Sequence, residues 1–250
     1  MSRHLLVIGG QRCGTTYLHS ILDAHPEITM ARPARPEPKV FLSDSLAMRG
    51  REWYRETYFE HATTELLLGE KSTSYIEDPE AAVRAERVLG STEVLALLRD
   101  PVQRAVSNWR FSTDNGFETR PLVTALRENL AGSMTWDSTS TSVSPFAYLE
   151  RGRYTDYLDP WFEVFSSSMH VAFMQDLVDR VEALDELFTN LGVRPGFRPA
   201  SRDRVVNESR EPAPALPASL VGRLREYFAV SDRALRSRLG RELPWPTASV

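Results

Sequence analysis

The chain of 250 residues has one cysteine, no long hydrophobic run and no excess of basic charge. Because the single thiol, Cys13, cannot form a disulfide or a cysteine-based zinc cluster within one chain, both kinds of scaffold are excluded. A reducing, cytoplasmic setting is therefore expected. The formal net charge of −4 provides no overall attraction to nucleic acid or to an anionic membrane surface. We expect neither as a partner, so any anion site requires a local group of Arg and Lys.

The apolar stretch near the N-terminus is only about six residues long, too short for a signal-peptide core or a membrane span. We therefore expect a soluble, intracellular protein. The length and the hydrophobic content of 42% allow one sizeable core. The sequence predicts a single domain over residues 1–250 and leaves the oligomeric state open.

Short Val- and Leu-rich segments alternate with helical patterns along the chain. This predicts an α/β fold, a P-loop-like three-layer sandwich with a mostly parallel central sheet covered by helices on both faces. Strands are predicted at 5–8, 27–30, 65–69, 93–98 and 169–174. Helices are predicted near 15–24, 79–89, 101–112, 119–130, 154–165, 177–191 and 217–239. Two irregular segments remain, each either a functional loop or a plain connector: a Ser/Thr-rich stretch that could be a substrate lid (131–146) and a Pro/Arg-rich stretch that could close over a donor (194–217).

A glycine-bounded loop follows the first predicted strand and reads Gly-Gly-Gln-Arg-Cys-Gly-Thr-Thr over residues 9–16. The spacing from Gly9 to Gly14 fits a P-loop, but Thr15 stands where the lysine that holds β- and γ-phosphates is required. A helix N-terminus, threonine hydroxyls and Arg12 together suit one phosphate with a group attached to it. The alternative is an ordinary tight turn that opens a helix.

A second anion site is indicated where the strand 93–98 ends. Arg99 follows that strand, Pro101 suits the first turn of a helix, and Arg104 and Ser107 lie three residues apart on that helix. Ligands of open α/β sheets bind at the carboxyl ends of the strands, so Arg99 and Ser107 could hold a second phosphate. Alternatively, Arg99 and Asp100 form a surface ion pair and a helix cap.

Two separate phosphate sites on one sheet suggest a nucleotide with a 5′-phosphate and a 3′-phosphate. Here the sequence resembles the sulfotransferase superfamily that uses 3′-phosphoadenosine 5′-phosphosulfate (PAPS), and within it the heparan-sulfate N- and 3-O-sulfotransferase type with its bacterial relatives. Residues 10–16 look like that family's 5′-phosphosulfate loop, and residues 99–107 look like its 3′-phosphate motif. Three further segments extend the likeness: Pro-Glu-Pro-Lys-Val-Phe (36–41), Gly-Glu-Lys-Ser-Thr-Ser-Tyr (69–75) and Gly-Arg-Tyr (152–154).

The resemblance implies roles for individual residues. Glu37 would be the base that takes the acceptor proton, Lys71 would lie beside the transferring group, and Glu70 would be a structural partner. Arg12 replaces the lysine usual in the heparan-sulfate members, and since arginine does not donate a proton as lysine can, it would be a fixed positive clamp. The residues implied in donor binding are Gln11, Arg12, Cys13, Gly14, Thr15, Thr16, Arg99, Ser107, Tyr154, Asn207 and Arg210. Without the likeness, Glu37 reads as a surface residue and Lys71 as half of a strand-end salt bridge.

The resulting prediction is a PAPS-dependent sulfotransferase acting on a hydroxyl of a sugar, a glycosylated metabolite or another small secondary product. It would release 3′-phosphoadenosine 5′-phosphate and need no metal, because sulfate carries less charge than phosphate and the five histidines are scattered. Aromatic side chains could stack on the acceptor or belong to the core: Trp53, Phe111, Trp136 and Tyr148. Two alternatives remain, a P-loop kinase for a small metabolite and a nucleotide-binding protein without turnover.

Overall fold

The structure is a computed structural model that describes residues 2–137, 143–199 and 214–248. It divides the chain into two compact units. The first consists of residues 1–98 and 157–206, and the second of residues 99–156 and 207–250. We describe each unit by itself, and the single domain expected from the sequence stays a prediction.

Five strands and ten helices are found in the described residues. They run in the order β1 (Arg3–Gly9), α1 (Thr15–Ala24), β2 (Ile28–Met30), α2 (Asp44–Ala47), α3 (Gly50–Phe59), β3 (Leu67–Lys71), α4 (Pro79–Leu89), β4 (Thr92–Leu98), α5 (Pro101–Asp114), α6 (Leu122–Asn129), α7 (Thr155–Phe165), β5 (Met169–Phe173), α8 (Met174–Asp179), α9 (Val181–Asn190) and α10 (Ala218–Leu239). Single 3₁₀ turns occur at Val40–Leu42, Tyr75–Glu77 and Glu150–Gly152. None of the helices in these residues is long and apolar enough to cross a membrane.

The strands form one sheet in the first unit, in the order β2-β3-β1-β4-β5, and every neighbouring pair is parallel. All carboxyl ends therefore lie along one edge of the sheet, the edge at which open α/β sheets bind ligands. The segments that leave β1, β2 and β3 at this edge carry the anion loop, Glu37 and Lys71.

Helices cover both faces of the sheet within the first unit. Leu5 and Val7 of β1 point to one face and join a buried cluster with residues of α1 and α9. His4 points to the other face, where its ring lies 5.6 Å from that of Tyr54 and 6.1 Å from that of Phe59, both on α3. The predicted three-layer sandwich with a parallel sheet is thus confirmed.

The helices depart from the sequence prediction in two places. No helix was predicted between residues 25 and 78, where α2 and α3 lie; α3 buries only aromatic residues, Tyr54 and Phe59, among charged ones, so its apolar stripe is weak in the sequence. The single helix predicted over 177–191 is two helices, α8 and α9, because Arg180 between them has an extended backbone, with φ −114° and ψ 122°.

The second unit is built around apolar side chains of α5, α6, α10 and the segment before α7. Asp100 caps α5 by accepting the Val102 N–H at 2.8 Å, and it forms a two-bond ion pair with Arg225 of α10 at 2.8 and 2.6 Å. Arg104 is fully buried and donates to the Tyr148 carbonyl. Its guanidinium is therefore part of the core of this unit rather than of an anion site.

Candidate active site

The anion loop depends on glycine at both of its ends. Gly9 has φ 149° and Gly14 has φ 89°, a backbone region that residues with a side chain rarely adopt. A β-carbon on Gly9 would lie 2.8 Å from the Ile76 side chain and 3.2 Å from the Thr73 carbonyl oxygen, and one on Gly14 would lie 2.5 Å from the Met174 sulfur. The loop is thus packed against the residues that follow β3 and β5.

The start of α1 offers backbone N–H groups to an anion. Gly14 is the N-cap residue in a left-handed conformation, and no side chain in the described part of the chain caps the helix. Thr15 and Thr16 open the helix with two hydroxyls, and the N-terminal end of a helix carries partial positive charge. Cys13 is buried, with its sulfur 3.8 Å from the Gln11 carbonyl oxygen, so its thiol is a small packed group inside the loop.

Glu37 and Lys71 meet at the carboxyl edge of the sheet. The Lys71 ammonium donates to Glu37 Oε1, and the two side chains are only 10% (Lys71) and 16% (Glu37) exposed. Thr73 holds the same carboxylate, because its backbone N–H donates to Glu37 Oε2 at 3.0 Å and its hydroxyl donates to that oxygen at 3.2 Å. The structure therefore brings together the two residues in which the sequence analysis placed the base and its neighbouring cation.

The anion loop lies beside this pair. The Ser72 N–H donates to the Val7 carbonyl at 3.1 Å, which joins the end of β3 to β1 just before the loop begins. Gly9 packs against the Thr73 carbonyl, while the other polar groups of Thr73 bind Glu37. The start of the loop and the Glu37 carboxylate therefore both contact Thr73.

Several basic side chains lie near α1 at this edge although the chain as a whole is acidic, and two of them are paired, Arg32 with Asp23 and Lys71 with Glu37. Burial first, and then the charges of Lys71, Arg32 and Arg35, lower the pKa of the His19 imidazole on α1, while the carboxylate of Asp23 opposes them. Arg12 adds a further cation within the loop, where its backbone is left-handed with φ 63°. That these side chains form the local group of Arg and Lys expected for an anion site stays a prediction.

A buried carboxylate lies behind the pair. Glu70 is completely buried, and its two oxygens accept the hydroxyl protons of Tyr54 at 2.7 Å and Ser72 at 2.5 Å. Burial raises the pKa of Glu70, and the neighbouring hydroxyls of Ser72, Tyr54 and Tyr75 oppose that rise. The structural role that the sequence analysis expected for Glu70 stays a prediction, and its hydroxyl partners were not foreseen.

In the second unit, Tyr154 holds the backbone of Arg99. The buried Tyr154 hydroxyl donates to the Arg99 carbonyl at 2.6 Å and accepts the Arg99 N–H at 3.4 Å. The Arg99 side chain donates to Gln103 at 3.3 Å, while Asp100 pairs with Arg225. Of the alternative expected from the sequence, the helix cap by Asp100 is thus formed, and the ion pair between Arg99 and Asp100 is not found among the described residues. Ser107 is half-buried on α5. The assignment of Arg99 and Ser107 to a 3′-phosphate stays a prediction.

Other predicted residues fall outside the site or outside the described residues. Asn207 and Arg210 are not among the described residues, and neither are residues 138–142 of the expected lid. Tyr148 is buried and donates to Glu118 at 2.9 Å, so it cannot stack on an acceptor. In the part of the chain that the structure describes, no three His, Cys, Asp or Glu residues are grouped so that they could hold a metal ion.

Ser72, Thr73 and Tyr75 bind the segment around Glu37, and the sequence analysis quoted them without giving them a role. The available signal was their position, since a run of polar residues directly follows the apolar part of β3 at the ligand-binding edge of the sheet. Their hydrogen-bond partners lie in the segment around Glu37, about 35 residues earlier in the chain. These long-range contacts could not be derived from the strand pattern.

Comparison with known proteins identifies the family. Residues 2–176 match the sulfotransferase domain family, which is more than half of the chain, so the chain belongs to this family of transferases. It is 32% identical over 168 residues to the bifunctional heparan sulfate N-deacetylase/N-sulfotransferase 1 of Caenorhabditis briggsae, a match that covers 65% of this chain and 19% of that protein. It is 25% identical to human heparan sulfate glucosamine 3-O-sulfotransferase 6, with 96% of this chain and 72% of that protein covered.

A solved structure agrees with this assignment at the level of the fold. The crystal structure of a sulfotransferase from Alicyclobacillus acidocaldarius matches with a TM-score of 0.77 at 20% identity, covering 97% of this chain and 98% of that one. The family resemblance and the α/β fold predicted from the sequence are therefore confirmed. The chain spans about a fifth of the length of several curated relatives that it matches.

Proposed function

We propose that the chain is a PAPS-dependent sulfotransferase that transfers the sulfuryl group to a hydroxyl of a sugar, a glycosylated metabolite or another small secondary product. The observation that carries the proposal is the Glu37–Lys71 pair, which is held by Thr73 directly beside the glycine-bounded anion loop. A base, a cation and a phosphate-binding loop in one place are the groups that this reaction needs.

The residues of the loop fit such a donor. The uncapped start of α1, the hydroxyls of Thr15 and Thr16 and the two ends that exclude a β-carbon form a cradle for a phosphate. When bound, PAPS supplies a sulfuryl group on its 5′-phosphate. We assign the 5′ end to the loop residues Gln11, Arg12, Cys13, Gly14, Thr15 and Thr16, with Arg12 as the clamp on the bridging oxygen. On the resemblance alone we assign the 3′-phosphate to Arg99 and Ser107, supported by Tyr154, and closure over the donor to Asn207 and Arg210.

The chemistry of Glu37 suits a general base. A carboxylate has about four lone-pair positions, and the hydrogen bonds from Lys71 and Thr73 leave at least one of them for the acceptor hydroxyl. Glu37 takes the proton as the acceptor oxygen attacks sulfur, and the bond between sulfur and the 5′-phosphate oxygen breaks. Lys71 stabilises the negative charge of the group in transit.

The proposal extends to a cytoplasmic protein that acts on a small-molecule or carbohydrate acceptor without a metal ion. Its curated relatives include enzymes named for heparan sulfate, which supports a carbohydrate acceptor. The kinase alternative is disfavoured because Thr15 replaces the lysine that binds a triphosphate. A binding protein without turnover is the other competitor, and the Glu37 variant below separates it from an enzyme.

The first test is a calorimetric titration with 3′-phosphoadenosine 5′-phosphate beside 5′-AMP and ATP with Mg²⁺. We expect binding that depends on the 3′-phosphate and is lost in Arg99→Ala. Preference for ATP with Mg²⁺ would overturn the donor assignment. Undiminished binding in Arg99→Ala would overturn the role of Arg99.

The second test measures transfer from radiolabelled PAPS to a panel of sugars, glycosides and alcohols. We expect Glu37→Gln to keep nucleotide binding and to lose about 10²- to 10⁴-fold in kcat, the usual contribution of a general base. Glu56→Gln, at an exposed position on α3, is the matched control and should retain full activity. Equal turnover in Glu37→Gln and in the control would remove Glu37 from the chemistry.

A further inference from the structure

The segment that follows Glu37 is anchored by side chains of another part of the chain. The Lys39 N–H donates to Ser72 Oγ at 3.0 Å, and the Phe41 N–H donates to the Tyr75 hydroxyl at 3.2 Å. Lys39 has a left-handed backbone with φ 52°, a conformation uncommon for residues other than glycine. The anchoring bonds therefore hold a stretch of backbone that is intrinsically unfavourable next to the proposed base.

One of the two anchoring hydroxyls depends on Glu70 for its direction. A hydroxyl has a single proton, and Ser72 gives its proton to the buried Glu70 carboxylate at 2.5 Å. This proton therefore points away from the segment, and a lone pair of Ser72 Oγ is left to accept the Lys39 N–H. The direction of the Lys39 anchor thus follows from Glu70.

We propose that Glu70 is a positioning residue for sulfuryl transfer: it orients the hydroxyl of Ser72, which together with the Tyr75 hydroxyl fixes the Lys39–Phe41 backbone and thereby the Glu37 carboxylate. The effect on turnover rests on the function proposed above, whereas the anchoring of the backbone does not. The burial of Glu70 has no other evident use, since an apolar residue in its place would avoid a costly buried carboxylate but would leave the neighbouring hydroxyls without an acceptor.

The network contains its own control. Tyr54 also donates to Glu70, at 2.7 Å, but no hydrogen bond from its hydroxyl reaches residues 38–42 in the described structure. Tyr54→Phe therefore removes a bond to the same carboxylate while leaving both anchors in place. Tyr75→Phe removes one anchor directly. Glu70→Gln keeps the shape of the side chain but turns an N–H group towards one of the hydroxyls.

The experiment combines amide hydrogen exchange, read by mass spectrometry over residues 38–43, with kcat and with the affinity for 3′-phosphoadenosine 5′-phosphate. In Glu70→Gln and in Tyr75→Phe we expect exchange in this segment to rise about tenfold. We expect kcat to fall about 10- to 100-fold, as for a small misplacement of a catalytic group, with nucleotide affinity unchanged. Tyr54→Phe should change neither the exchange nor kcat, even where its melting temperature falls.

Three results would overturn the inference. Unchanged exchange in both Glu70→Gln and Tyr75→Phe would show that the network does not anchor the segment. Faster exchange with an unchanged kcat would show that the anchor does not position Glu37. Equal losses of kcat in Tyr54→Phe and Tyr75→Phe would show that the loss comes from general destabilisation and not from the missing anchor. If the wild type fails to transfer a sulfuryl group from PAPS to any acceptor, the proposed function fails instead, and the exchange rates still decide the anchoring.

Discussion

His4 is a buried histidine whose environment makes the stability of the protein depend on pH. It lies on β1 and is 1% exposed, against the rings of Tyr54 and Phe59. Among the described residues, neither of its ring nitrogens has a hydrogen-bond partner. Burial first, and then the positive charges of Arg51 and Arg55, lower the pKa of His4 from 6.5 to about 4.

The lowered pKa sets the sign and size of the effect. The unfolded chain binds a proton at His4 below about pH 6.5, whereas the folded protein does so only near pH 4. Above pH 6.5, His4 therefore leaves the free energy of unfolding unchanged. As the pH falls from 6.5 towards 4, its titration lowers the free energy of unfolding progressively. Because one pKa unit corresponds to about 1.4 kcal/mol, the full loss is about 3 kcal/mol, of which about 2 kcal/mol is present at about pH 5.

The assay compares the wild type with His4→Leu by urea unfolding between about pH 7.5 and about pH 4.5. Leucine removes the titrating group and both unpaired nitrogens from the same apolar site. The free energy of unfolding of the variant minus that of the wild type should increase by about 2 kcal/mol as the pH is lowered from about 7.5 to about 5. A difference that stays constant over this range would refute the reasoning.

His25 offers a matched control for the substitution. It is also buried in the first unit, but its ring nitrogens contact the Arg194 carbonyl oxygen at 3.0 Å and the Glu27 N–H at 3.1 Å. His25→Leu loses both interactions and should be destabilised by about 1 to 3 kcal/mol at about pH 7.5. His4→Leu has no such bonds to lose, so it should be no less stable than the wild type at that pH.

Two further predictions test the loop and the second unit. Gly14→Ala places a β-carbon 2.5 Å from the Met174 sulfur and should weaken nucleotide binding at least about tenfold by calorimetry. Gly196→Ala, with a similar φ of 87° and open space around it, should cost only about 1 kcal/mol of stability and leave binding intact; equal binding in both variants would refute the packing argument. Burial raises the pKa of Asp232 to about 6, so its contribution to stability is present below about 3.8 and lost as the pH rises through about 6. Asp232→Asn, which keeps an oxygen for the Trp245 N–H, should therefore raise the free energy of unfolding at about pH 7.5 by up to about 3 kcal/mol, and no gain over the wild type would contradict this.

The sheet and the site residues that follow its strands were accessible from the sequence because both depend on local pattern. Buried parallel strands are near-continuous apolar runs, and helices such as α1 and α4 begin and end within a residue of their predicted bounds. Glu37 and Lys71 were paired through the family resemblance rather than through spacing, and the structure places them in contact.

What escaped prediction depends on long-range packing. The Ser72 hydroxyl donates to a buried carboxylate that also binds Tyr54 of α3, a helix that the apolar pattern did not reveal. Arginine is a common ligand of anions. The side chain of Arg104, however, points from α5 into the core of the second unit, where it donates to the Tyr148 carbonyl. A charged residue in a sequence shows what chemistry is available but not which neighbours it will have.

The strand order explains why the chemistry gathers at the end of β3. This strand lies between β2, which leads to Glu37, and β1, which leads to the anion loop. Its last residues therefore bind both neighbours: the Ser72 N–H bonds to the Val7 carbonyl on one side, while Lys71 and Thr73 hold Glu37 on the other. A sheet with β3 elsewhere would separate Glu37, the proposed base, from the loop. The short segment 71–73 is thus the part of the chain whose position couples the proposed acceptor chemistry to the proposed donor site.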